Sequence, residues 1–276
     1  MIDAHHHFWT YDPARHGWIP DAMAAIRRDW TPGDLRDELK RHNVDRVVTI
    51  EAGASEEETR RLLAHAAEVD YVAGVVGWVD LAAADAGDRL DHFRQDRHFV
   101  GVRHVVQAEA DGFLDRDDFN AGVAALCERD LAYDLLIFER QLPEASRFAD
   151  RHPAGRFVLD HLAKPRNDLA QLEPWAANLR DLARREHVVC KLSGGITEAD
   201  LTWTPDSLRP YFNVALEAFG PGRLMFGSNW PLSEAAGGYG KWIDAVRDYI
   251  KPLSADERAS IMGRVAATAY RLEEAQ

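Results

Sequence analysis

Ile2-Asp3-Ala4-His5-His6-His7-Phe8-Trp9 is the stretch that decides the fold. It starts as a short strand and ends in polar side chains with no glycine-rich turn behind it. The first strand of a dinucleotide-binding sheet would run into G-x-G-x-x-G, so that open, doubly wound arrangement loses its main support. Further β-branched or apolar runs recur around 46–52, 72–80, 99–106, 132–138, 156–162, 188–194 and 223–230. Charged amphipathic segments at 56–69, 85–95, 119–129 and 172–185 lie between them. Ser55-Glu56-Glu57-Glu58 has the form of a capping box, and Thr31-Pro32-Gly33-Asp34 that of a turn feeding a helix. Eight strands alternating with helices make a parallel sheet, and that number closes into a barrel. The expected fold is therefore α/β, a single (β/α)8 TIM barrel spanning residues 1–276. The last segment, 255–272, is expected to be an extra C-terminal helix across the barrel.

The length of 276 residues suits one such domain, since barrels of this kind occupy about 250. With 33 basic and 46 acidic residues the net charge is −13. A surface this acidic repels phosphate backbones and argues against a nucleic-acid partner. Two cysteines, Cys127 and Cys190, have no knuckle-like spacing and suit a reducing compartment. No apolar run approaches the roughly 18 residues of a membrane span. The opening Met1-Ile2-Asp3-Ala4-His5 lacks the basic and apolar segments of a signal peptide. A cytoplasmic protein acting on a small molecule, without a membrane partner, is expected.

Barrel ligands collect where strands end, so polar residues there are the first candidates. Strand side chains alternate, which turns His5 and His7 one way and His6 the other. Two imidazoles on one face suit a metal ion or a substrate oxyanion, or are simply polar residues at a strand end. Glu51, closing the second strand, would orient a histidine or act as an acid, or be a solvated charge at the loop mouth. Arg103 and Gln107 share a parity. An inward Arg103 suits a substrate carbonyl or carboxylate, and equally a structural ion pair. An apolar run that ends abruptly in Asp160-His161 marks His161 as functional. Lys191 lies in the otherwise buried run Val188-Val189-Cys190-Lys191-Leu192, where an ammonium must pair with a carboxylate or meet ligand. Asn229 shares the parity of Gly227, which suits a crowded inward position. Trp9, Trp78, Trp203 and Trp230 fall at or beyond strand ends. Trp9 and especially Trp230 are candidates for an apolar platform under a sugar ring or lactone, against the commoner role of packing.

Five segments together resemble one family: Ile2–Trp9, Gly101-Val102-Arg103-His104-Val105-Val106-Gln107, Val158-Leu159-Asp160-His161-Leu162-Ala163-Lys164-Pro165, Cys190-Lys191-Leu192-Ser193-Gly194 and Met225-Phe226-Gly227-Ser228-Asn229-Trp230-Pro231. It is the amidohydrolase-related group of metal-dependent-hydrolase-type barrels that includes L-fuconolactonase and L-rhamnono-1,4-lactonase, and the likeness runs in order to about residue 272. The resemblance implies a hydrolase of carbohydrate metabolism that opens an aldonolactone or related cyclic ester. It places the family's His-x-His on His5 and His7, its sixth-strand histidine on His161, and its eighth-strand acid on position 229. Some members bind one divalent ion such as zinc, which the resemblance would place on His5, His7 and His161 here, and others none. Asn229 departs from the usual Asp, and a carboxamide is neither a base nor a strong metal ligand. Glu51 departs from a common Gln and would compensate if the two groups met. The expected chemistry is attack of an activated water on the lactone carbonyl, with Arg103, Lys191 or a metal stabilising the oxyanion. Alternatives are metal-assisted non-oxidative decarboxylation and a non-catalytic barrel that binds a sugar acid. The oligomeric state is not legible.

Overall fold

The computed structural model describes residues 1–166, 172–194 and 203–273. Eight parallel strands lie in sequence order: β1 (Ile2–His6), β2 (Arg46–Ile50), β3 (Val72–Gly77), β4 (Phe99–His104), β5 (Ala132–Leu135), β6 (Arg156–Leu159), β7 (Val188–Leu192) and β8 (Leu224–Phe226). The sheet closes beyond β8, where the His7 amide donates to the Trp230 carbonyl at 2.7 Å and the Asn229 amide to the His5 carbonyl at 2.8 Å. The barrel expectation is met.

Every strand begins within about a residue of its expected start, yet all end earlier. β6 stops at Leu159 because residues 161–164 all take left-handed backbone, with φ of 51–57°. β8 stops at Phe226, and Asn229 at φ 55° turns the chain into the loop. Left-handed backbone cannot continue a strand, and for residues with a Cβ it costs about 1–2 kcal/mol each. The apolar Leu162 and Ala163 that prolonged the pattern are buried in a loop instead.

β1 carries a second irregularity. Its pairing with β2 shifts register between Asp3 and His6. Asp3 consequently faces the helix layer, accepting from the Tyr239 hydroxyl at 3.1 Å, whereas His5 two residues on faces the barrel interior. The Asp3 carboxylate also accepts from the His5 and Ser228 amides at 3.1 and 2.8 Å, satisfying backbone donors at the bulge.

The helices are set by local signals. Ser55 caps the helix Glu56–Glu68 by accepting from the Glu58 amide at 3.2 Å, while Glu58 turns away to accept from the Ala52 amide at 2.7 Å. Thr31 precedes a helix at Pro32–His42, with Asp34 closing the capping box. The core has two parts. One fills the space between sheet and helices. The other fills the barrel with Ala4, Val48, Ile50, Val76, Val100, Val158 and Met225, and is plugged at the strand starts by Val265, Ala266, Ala269 and Tyr270. The expected terminal helix is thus present, but in pieces. Ala255–Ala259 and Val265–Ala269 are joined by a π turn, within which Gly263 leaves helical geometry where the chain passes Met1 and Ile2.

Candidate functional site

A cavity of about 500 Å³ opens at the strand C-termini. Its floor carries the strand-end residues His7, Arg103, His161 and Asn229, and Gln107 and Lys164 join them from loops. Trp18, Met23, Val105, Leu136, Phe138 and Leu232 form most of an apolar wall. A hollow of about 560 Å³ at the opposite face, lined by Arg46, Arg97 and His98, contains none of the strand-end candidates. The chemistry therefore belongs to the first.

His161 is held by close fit. Its Nδ1 lies 2.8 Å from the Ser193 hydroxyl, and left-handed Gly194 lets β7 pass against the ring. A Cβ at position 194 would sit 2.4 Å from His161 Cγ and Nδ1. Gly227 serves His5 in the same way, since a Cβ there would fall 2.7 Å from that of His5. Burial pushes His161 down to about 3, and burial likewise holds His5 and His7 well below the ordinary imidazole range. All three rings are neutral at pH 7 and present lone pairs.

His5 and His7 do face one way, with Nε2 atoms 3.2 Å apart, and His6 points outward to Thr49. The His7 Nδ1 lies 2.9 Å from the Ile50 carbonyl and must donate to it, which leaves Nε2 as an acceptor. The His5 Nδ1 lies 3.1 Å from the Lys191 ammonium and 3.3 Å from Asp160 Oδ1.

Behind this floor lies a buried ionic network. Arg103 donates through Nε to Glu51 Oε1 at 2.7 Å, through Nη2 to the Glu51 carbonyl, and through Nη1 to Asp160 Oδ2 at 3.1 Å. Lys191 pairs with Asp134 at 2.5 Å and with Asp160 at 2.9 Å, and the Tyr270 hydroxyl donates to Asp134 at 2.8 Å. Burial would raise Asp160, but Lys191, with His5 beside it, overrides burial and holds it well below the usual carboxylate range. Asp134 has no such surplus of cations, and burial raises it to about 6.

Of the ten sequence candidates, His7, Arg103, Gln107, His161 and Asn229 line the cavity. His5 lies just beneath. Lys191 and Glu51 are fully buried in the network and face carboxylates or guanidinium rather than the cavity. Glu51 is taken up by Arg103, and no contact joins it to Asn229 among the described residues. Trp9 and Trp230 are packing residues here. The Trp9 indole donates to the Arg28 carbonyl, and Trp230 packs edge-on against Trp30. The tryptophan that does reach the cavity, beside Phe138, is Trp18, 47% exposed, which sequence reading missed because it lies in a loop well beyond β1. Asp134 was also missed, although an Asp inside the run Ala132–Leu135 is the same signal that marked Lys191.

A cation would fit this donor set. Two neutral imidazole nitrogens face each other at 3.2 Å, and the Asn229 Oδ1 is buried without a hydrogen-bond partner among the described residues. His5, Asp160 and His161 also place ligand atoms within 4.8 Å of one another. Asp160 Oδ2, however, accepts from Arg103, and Oδ1 lies 2.9 Å from the Lys191 ammonium, whose charge disfavours a second cation there, so the imidazoles are the better ligands.

This barrel, with histidines at the ends of its first and sixth strands, is that of an amidohydrolase. The amidohydrolase family model matches residues 2–272, and the chain belongs to that family. It is 41% identical to an L-fucono-1,5-lactonase of Burkholderia multivorans over 99% of this chain and 96% of that protein, and 38% identical to one of Burkholderia ambifaria with the same coverage. The solved structure of a Burkholderia multivorans amidohydrolase with bound zinc superposes with a TM-score of 0.94 at 40% identity, covering 99% of both chains. No helix among the described residues is long and apolar enough to cross a membrane.

Proposed function

We propose that this protein hydrolyses a sugar lactone, within carbohydrate metabolism, at the cavity floored by His161 and Arg103. The observation that carries the reading is the chemistry of that floor. A neutral imidazole and a guanidinium stand at one end of a cavity that also holds a buried acceptor, Gln107 Oε1, without a hydrogen-bond partner among the described residues. Hydroxyl donors of a sugar ring satisfy such an acceptor, and the likeness to the Burkholderia lactonases agrees with it.

His161, its Nδ1–H turned to Ser193, takes a proton from water at Nε2 as the water oxygen bonds to the lactone carbonyl carbon. Three of the five N–H bonds of Arg103 are committed to Glu51 and Asp160, and the remaining two, without a partner among the described residues, meet the developing oxyanion. When the tetrahedral adduct collapses, the ring C–O bond breaks and the departing alkoxide recovers the proton from His161, giving a hydroxy acid. Lys191 and Glu51 act by holding His5 and Arg103. Trp18 offers an indole face to the ring at the cavity wall. A divalent cation, zinc foremost, would be held by the facing Nε2 atoms of His5 and His7, leaving His161 Nε2 to the proton, and would polarise the ester carbonyl. Following acid and carbon dioxide release from a panel of aldonolactones and aromatic acids tests the reading. Acid without carbon dioxide supports it, carbon dioxide indicates a decarboxylase, and neither indicates a binding barrel.

A further inference from the structure

We propose that Lys191 and Asp160 together select the tautomer of His5, so that the His5–His7 pair exists either as a cation-free hydrogen-bonded pair or as a two-nitrogen cation seat. Lys191 is then a positioning residue that acts through His5. The inference does not depend on which substrate the cavity takes.

The argument is a donor count. Because the His7 Nδ1 donates to the Ile50 carbonyl, the His7 Nε2 accepts. The His5 Nε2, 3.2 Å away, must then either donate to it or share a cation with it. Which of these holds is decided at the other edge of the His5 ring, where the Lys191 Nζ at 3.1 Å and Asp160 Oδ1 at 3.3 Å compete for one nitrogen. An ammonium can only donate, so a contact with Lys191 makes Nδ1 an acceptor and puts the proton on Nε2, where it bonds His7. A carboxylate can only accept, so a contact with Asp160 puts the proton on Nδ1 and leaves both Nε2 lone pairs facing each other, the carboxylate–histidine arrangement that supports metal ligation.

Both inventories balance. In the first, Lys191 ion-pairs with Asp160 Oδ1 at 2.9 Å, donates to Asp134 and, with its third N–H, meets His5. In the second, the third N–H turns from His5 toward the Tyr270 ring, whose centroid lies 5.4 Å from Nζ. Asp134, held by the Tyr270 hydroxyl at 2.8 Å, anchors the ammonium in both. No proton enters or leaves the network; the single imidazole proton of His5 moves from one ring nitrogen to the other. A cation arriving at the pair must therefore displace the Lys191–His5 contact, which weakens its binding.

The test uses 15N-histidine-labelled whole protein, with the His5 signals assigned against His5→Gln. Metal-free parent is expected to show His5 protonated at Nε2, and zinc-loaded parent at Nδ1. The double variant Lys191→Met/Asp134→Asn removes one cation and one anion together and leaves Asp160 paired with Arg103. It is expected to show Nδ1–H without metal and to bind zinc at least tenfold more tightly in chelator competition. A metal-free parent already protonated at Nδ1 overturns the proposal, as does a folded variant that keeps Nε2–H. The parent spectra alone decide the matter if the variant does not fold.

Discussion

Gly194→Ala tests the placement of His161 without touching a reacting group. A Cβ at 194 would lie 2.4 Å from His161 Cγ and Nδ1 and 2.8 Å from its Cβ, about 1 Å short of ordinary contact. Gly194 itself sits at φ +67°, where a side chain adds about 1–2 kcal/mol of backbone strain. The ring must retreat by about an ångström or the β7 loop must move, and either breaks the 2.8 Å contact with Ser193 that orients it. A misplacement of that size at a reacting group costs roughly 100-fold in rate, or about 2.7 kcal/mol of barrier. Overpacking and strain together should cost about 2–4 kcal/mol of stability, a melting-temperature drop of roughly 5–10 °C. The assay is kcat/KM for lactone opening on folded protein, alongside a thermal melt. A variant that melts lower yet keeps kcat/KM within threefold of the parent would show that the ring position does not matter to the reaction, and would refute the role given to His161.

Asn229→Asp should tighten zinc binding in chelator competition, because it replaces an unpartnered buried amide oxygen with a charge beside the imidazoles; equal affinity in parent and variant would place position 229 outside the cation seat. With burial holding His161 near 3, kcat/KM at pH 5 should stay within about twofold of its value at pH 7, whereas a base at the ordinary 6.5 would lose roughly 25-fold. Burial lifts Glu58 to about 7, so ionising it costs folded protein that the unfolded chain does not lose; its contribution is present below about 4.3 and lost as pH rises through 7. Glu58→Gln should therefore gain up to about 2.5 kcal/mol on the parent between pH 5 and pH 8, keeping the bond from the Ala52 amide, and a pH-independent difference in melting temperature would contradict this.

Strand starts were legible because β-branched runs announce them, and the alternation of His5, His6 and His7 survives in three dimensions. Strand ends were not, because apolar residues such as Leu162 are buried equally well in a left-handed loop as in a strand. Periodicity also cannot see the bulge in β1, which sends Asp3 outward and His5 inward. For Lys191, the isolated ammonium in a buried run predicted a carboxylate partner or a ligand; it has two carboxylate partners, contributed by β5 and the loop after β6, which no local window brings together. Trp230 sits where a platform was expected, but its ring turns to Trp30 and Phe8, away from the cavity, and the direction of a loop side chain is set by packing that the sequence pattern does not contain.

The most direct measurement is proton release from purified protein mixed with an aldonolactone panel in weakly buffered indicator at pH 6.5, where spontaneous opening is slow. The account predicts release well above the spontaneous rate for at least one lactone, lost by 100-fold or more in folded His161→Ala. Spontaneous rates across the whole panel, or a His161→Ala protein as active as its parent, would contradict it.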